Sequence, residues 1–101
     1  MKTDIQSVNF TVDQKLVNFI MEKLDKIESH FDQVIFANIY LKLENTSSKE
    51  NKISEIILSI PGEELVCKKK AKRFEVSVDE CINSLQRQLQ KRKKKFSVQV
   101  A

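Results

Sequence analysis

The sequence predicts an α+β protein, a two-layer sandwich in the order β-α-β-β-β-α, with a four-stranded mixed sheet and two helices on one face. Three observations predict it. Two stretches, one after Asp13 and one after Arg73, repeat apolar residues at helical spacing. Segments before and between them alternate apolar and polar residues at the period of a strand. A Pro61-Gly62 pair marks a tight turn between the last two such segments. Each helix has one apolar stripe, so both are expected to cover the same face of the sheet. The 101 residues make a single domain, 1–101, large enough for one core.

The elements follow in order. Lys2 to Phe10 reads as the first strand, with Ile5, Val8 and Phe10 as its apolar content. Asp13 sits at a natural N-cap position. Leu16, Phe19, Ile20, Leu24, Ile27 and Phe31 then recur at helical spacing, so the first helix is placed from Gln14 to Ser29. Its other face mixes Lys15, Glu22, Lys23, Asp25, Lys26 and Glu28. Ile35, Ala37, Ile39, Leu41 and Leu43 alternate with Phe36, Asn38, Tyr40 and Lys42, which predicts a second strand with one apolar face. Asn45 to Asn51 is a polar turn, Lys52 to Ile60 a third strand, and Glu63 to Lys72 a fourth, paired with the third as a hairpin. Arg73 to Phe96 is a long amphipathic helix whose stripe is Val78, Ile82, Leu85 and Leu89. A helix joins the first two strands, which predicts a parallel pair with a right-handed crossover; the rest is an antiparallel meander. The uncovered face of the sheet suits Lys42, Glu44, Lys68, Lys70 and Lys72.

Charge is unevenly placed. Residues 1–65 hold 7 Lys/Arg and 11 Asp/Glu, 7 − 11 = −4, and residues 66–101 hold 11 and 3, 11 − 3 = +8. A small domain polarised in this way is suited to meet a polyanion with one side. No apolar run approaches the ~20 residues of a membrane helix. The opening MKTDIQSVNF lacks a signal peptide's apolar core, so the expected location is the cytoplasm. Cys67 and Cys81 have no CxxC spacing and read as reduced, small apolar residues.

Catalytic constellations are missing from the sequence. His30 is the one histidine, no ligand-spaced cluster suggests a metal, and the one glycine stands in a hairpin turn. A Ser or Cys nucleophile needs a positioned base, and His30 is the one imidazole. The expectation is a non-enzyme with no cofactor. What remains is basic. Lys68, Lys69, Lys70 and Lys72 lead into Arg73; Arg87 and Lys91 share one helix face at i, i+4; and Lys91, Arg92, Lys93, Lys94 and Lys95 run unbroken. Together these suggest a belt that tracks phosphates with a salt-dependent affinity. Aromatics are few, Tyr40 and Phe36 on the open face and no Trp, which favours folded RNA read by shape over a single strand read by stacking.

FEVSVDECINSLQRQLQKRKKK resembles the second helix of the ribosome hibernation promoting factors, also called ribosome-associated inhibitors or sigma-54 modulation proteins. The family pattern is matched at Phe74, at Val78-Asp79 and from Leu85 to Lys91, and VDQKLVNFIMEKLDKIESHFDQV is similar to the family's capped first helix. The resemblance implies a fold akin to double-stranded RNA-binding domains. It also implies a non-catalytic protein that binds the small ribosomal subunit and its RNA, occludes the channel of messenger and transfer RNA, and inhibits translation in stress or stationary phase. By position it implies RNA contacts at Lys26, Arg87 and Lys91; the charge pattern adds Lys68, Lys70, Lys72, Arg92, Lys94 and Lys95. The chain departs from the family pattern at Arg73, where members often have an Asp or Ser cap, and in its lysine-rich fourth strand. It stops at Ala101, without the C-terminal dimerisation domain of long members, so pairing of ribosomes is expected to need a second factor and the protein is expected to be a monomer off the ribosome. Two alternatives stay open: a general module for structured RNA, and a protein-binding regulator of a sigma factor.

Overall fold

In the computed structural model the first strand pairs in parallel with the second, and this sets the architecture. The structure describes the backbone of residues 1–100 and the side chains of residues 1–92. The elements are β1 (Lys2–Val8), α1 (Gln14–His30), β2 (Phe36–Leu43), β3 (Lys52–Ile60), β4 (Glu63–Ala71) and α2 (Phe74–Val100). The sheet order is β1-β2-β3-β4, with β2-β3 and β3-β4 antiparallel. This is the mixed α+β sheet that the patterning predicts.

The core lies between one sheet face and the two helices. Ile39 and Leu41 of β2, Ile56 and Leu58 of β3 and Leu65 of β4 point to the helices and are buried. Leu16, Ile20, Leu24 and Ile27 of α1 meet them, as do all four members of the α2 stripe. Fully burying one such side chain is worth roughly 1.5–3 kcal/mol. These stripes therefore hold the helices far more strongly than the surface ion pairs, worth about 0–1 kcal/mol each.

Element boundaries shift where local chemistry intervenes. β1 ends at Val8 rather than Phe10, because Asn9 adopts a left-handed φ of 72° and its side-chain amide donates to the Leu43 carbonyl at 3.2 Å. Phe10, freed from the strand, stacks on Phe74 with ring centroids 4.7 Å apart. Asp13 caps α1 as expected, its Oδ1 accepting from the Leu16 amide at 2.8 Å, and the helix runs one residue beyond the expected end. β2 begins at Phe36, which leaves Ile35 outside the strand and exposed. Gly62, with φ +78°, takes the position in the Pro61-Gly62 turn that an L side chain adopts only with strain. β4 stops at Ala71, so Lys72 lies outside it, and α2 begins at Phe74 and extends past Phe96 to Val100.

The start of α2 is anchored by a buried polar contact. Ser54 and Ser77 are fully buried, their hydroxyls are 2.7 Å apart, and Ser77 Oγ also reaches the Phe74 carbonyl at 3.2 Å. Replacing Ser77 leaves the buried Ser54 hydroxyl without this partner. Ser77→Ala is expected to lower the unfolding free energy by about 1–3 kcal/mol in urea titrations, leaving the m-value unchanged.

Candidate nucleic-acid interface

The two helices lie side by side and run in the same direction. Each follows a strand parallel to β2 and returns along the sheet. Lys23 of α1 pairs with Asp79 of α2 at 3.1 Å, and its ammonium lies over the Phe19 ring, 5.3 Å from the centroid. Beyond this bridge both helices continue toward the same end of the molecule.

Helical geometry aims the cations. Arg87 stands nine residues after Val78, about two and a half turns, so it projects directly away from the buried stripe. Lys91 stands nine residues after Ile82 and does the same. Both are exposed, as is Lys26, which lies on the flank of the exposed face of α1, about 160° from Leu24 and about 100° from Ile27. Neither Arg87, Lys91 nor Lys26 has an ion-pair partner among the described residues. The helix layer thus presents Lys26, Arg87 and Lys91 outward.

Arg92 behaves differently. It follows Leu89 by three residues and so continues the apolar stripe toward the end of the sheet. Its Nε donates to Glu63 Oε2 at 2.8 Å, one terminal nitrogen pairs with Glu63 Oε1, and the other donates to the Gln88 carbonyl at 3.1 Å. The hydrogen bond to Glu63 raises the guanidinium pKa further above its ordinary value. The side chains of Lys94 and Lys95 lie outside the described residues.

Lys68 and Lys70 of β4 do not join the helix-layer row. Lys70 is opposite Ile53, which is opposite Lys42, and Lys68 is opposite Glu55, which is opposite Tyr40. All lie on the sheet face away from the helices, as does Phe36. Lys70 pairs with Glu44 at 3.4 Å, Lys72 lies exposed beyond the strand, and Lys69 lies on the helix side opposite Ser54. Arg92 meets β4 at its first residue, Glu63, and Lys70 is seven residues on, about 23 Å along the strand. One continuous belt is therefore corrected to two basic clusters, on opposite faces and toward opposite ends. The strand alternation does put Lys68 and Lys70 on the uncovered face of the sheet; joining them to the α2 cations in one belt overlooks that α2 lies across the sandwich from that face.

The matched family is described as sigma 54 modulation protein / S30EA ribosomal protein, and the match spans residues 3–97. The chain belongs to this family. It is 33% identical over 95 residues to the ribosome hibernation promoting factor of Pseudomonas putida, covering 94% of this chain and 89% of that protein. Against the protein of the same name from Azotobacter vinelandii it is 26% identical over 95 residues, covering 94% and 85%. The fold is that of a ribosomal subunit interface protein from Coxiella burnetii, with a TM-score of 0.82 at 20% identity, covering 93% of this chain and 99% of that one. It is also that of the N-terminal domain of Thermus thermophilus Protein Y, with a TM-score of 0.76 at 16% identity, covering 90% and 98%. For this S30EA-family chain, the helix signatures and the architecture agree.

Other reactive groups of this family member are structurally engaged. His30 is exposed, with Nδ1 2.9 Å from the Lys26 carbonyl and 3.1 Å from Ser29 Oγ, at the end of α1. Among the described residues no group of His, Cys, Asp and Glu is arranged to hold a metal, and no helix is long and apolar enough to cross a membrane. Cys81 is fully buried, with Sγ 3.3 Å from the Ser54 carbonyl and 3.4 Å from the Cys67 carbonyl. Burial, and then the neighbouring Cys67, pushes its thiol pKa well up. In the unfolded chain the thiol ionises near its ordinary 9.0 while the folded thiol stays protonated. This contribution to stability is complete below that pH and is lost as pH rises above it. Denaturation series are expected to show stability falling from about pH 9 upward, with the fall reduced in Cys81→Ala measured against its own value at pH 7.

Proposed function

We propose that this protein is a ribosome hibernation factor. It binds the small ribosomal subunit through its basic surface, occludes the channel used by messenger and transfer RNA, and so inhibits translation in stress or stationary phase. The observation that carries the reading is the outward row Lys26, Arg87 and Lys91 on a chain that the S30EA family matches over residues 3–97. The relatives named ribosome hibernation promoting factor support the ribosomal role.

The mechanism is docking without chemistry. Lys26, Arg87 and Lys91 meet ribosomal RNA phosphates, displacing counterions, so affinity depends on salt and little on sequence. Lys94 and Lys95 add to this contact. Lys68 and Lys70 meet a separate stretch of RNA, because they lie across the sandwich from the first cluster, and Lys72, just beyond β4, adds to that contact. The apolar seams hold both helices on the sheet, so little ordering entropy is lost from the described core on docking. The body of the sandwich then blocks the channel sterically.

Arg87→Ala combined with Lys91→Ala is expected to leave the circular dichroism spectrum unchanged. Its co-sedimentation with small subunits should fall, and the slope of log affinity against log salt should flatten by about one to two. Equal co-sedimentation of wild type and double variant across the salt series would remove these residues from the contact. Full displacement of the wild type by a modest excess of an isolated RNA duplex would favour a general structured-RNA module instead.

A further inference from the structure

Arg92 does not resemble its basic neighbours, because its guanidinium is already committed. Two parallel contacts join it to the Glu63 carboxylate, the planar fork-to-fork arrangement that is the strong form of an ion pair. A third N–H reaches back to the Gln88 carbonyl. Glu63 is equally well placed: it directly follows the Pro61-Gly62 turn, whose left-handed glycine sets where β4 begins.

The position of this pair matters more than its strength. Leu89 is the last buried side chain of α2 among the described residues. The backbone of the helix continues eleven residues to Val100, about 16 Å along its axis. Among the described residues, Arg92–Glu63 is the one side-chain hydrogen bond or ion pair that ties α2 beyond Leu89 to the sheet. A change of helix angle at Arg92 displaces each later residue in proportion to its distance along the axis.

We infer that Glu63 and Arg92 form a clamp that sets the direction of the basic end of α2, making both of them positioning residues for RNA docking. This inference rests on the proposed function, and it separates Arg92 from Arg87 and Lys91, which face outward and meet phosphate directly. It also reverses the simplest electrostatic expectation. Neutralising an acidic residue beside a basic surface tightens binding to a polyanion if field alone governs. If Glu63 instead aims the helix, neutralising it weakens binding.

The test is Glu63→Gln, an exposed isosteric change in a hairpin that leaves the core untouched, assayed with intact small subunits at fixed salt. The clamp predicts weaker binding, up to about fivefold. It also predicts faster amide exchange in α2 beyond Leu89 in the free protein, with exchange around Ile82 unchanged. The exchanged pair, Glu63→Arg with Arg92→Glu, should recover affinity lost in Arg92→Glu alone, because it restores the clamp with its charges reversed. Three results would overturn the inference: Glu63→Gln binding as tightly as wild type or more so, amide exchange that does not change, or an exchanged pair no better than Arg92→Glu. Failure of the wild type itself to bind would overturn the proposed function and the docking role with it, a result told apart from failure of the clamp alone, in which wild type binds normally.

Discussion

The seam between the α2 stripe and strands β3 and β4 is the contact on which the rest of this molecule depends. Val78, Ile82, Leu85 and Leu89 are buried against it, and Ser77 and Cys81 place their polar atoms against β3 and β4 at its upper end. A stripe this regular leaves α2 little rotational freedom. It thereby decides which residues face water. Arg87 and Lys91 face out because they are half a turn from the stripe, and Arg92 faces the hairpin because it extends the stripe.

The same constraint explains the separation of charge. A two-layer sandwich has two outer surfaces, a helix layer and a bare sheet face. Residues from α1 and α2 can share the first, as the Lys23–Asp79 bridge shows. Residues from alternate β4 positions populate the second, where Lys68 and Lys70 stand among Glu55, Glu44 and Tyr40. That face is mixed in sign. The helix-layer row has the cleaner geometry for phosphate, since Lys26, Arg87 and Lys91 have no ion-pair partners among the described residues.

Much of the fold was legible in the sequence because its signals are local. The period of Ile39, Leu41 and their neighbours, the Asp13 cap and the Pro61-Gly62 turn each act within a few residues. The β3 boundaries, Lys52–Ile60, agree with expectation for that reason. Strand ends were less legible: Phe10 has the composition to continue β1, but the left-handed Asn9 and the stacking of Phe10 on Phe74 draw it into the helix layer. The candidate site was legible within each element, with Lys68 and Lys70 on the uncovered sheet face and Arg87 and Lys91 on one helix face, and illegible in how the elements set those cations relative to one another. Glu63 gave no signal as a partner for Arg92, since 29 residues separate them. The spacing Leu85, Leu89, Arg92 did carry the hint that Arg92 points toward the sheet.

The proposed docking of RNA on the helix layer, through Lys26 and its α2 neighbours, is open to a direct test. Lysine footprinting tests it most directly: acylate the free protein and the protein bound to small ribosomal subunits, then compare modification of each lysine by mass spectrometry. The account predicts strong protection of Lys26 and Lys91 on binding, with Lys15 and Lys49 remaining reactive as exposed lysines assigned to neither cluster. Protection confined to Lys42, Lys68 and Lys70, with Lys26 and Lys91 as reactive as in the free protein, would contradict it and move the interface to the sheet face.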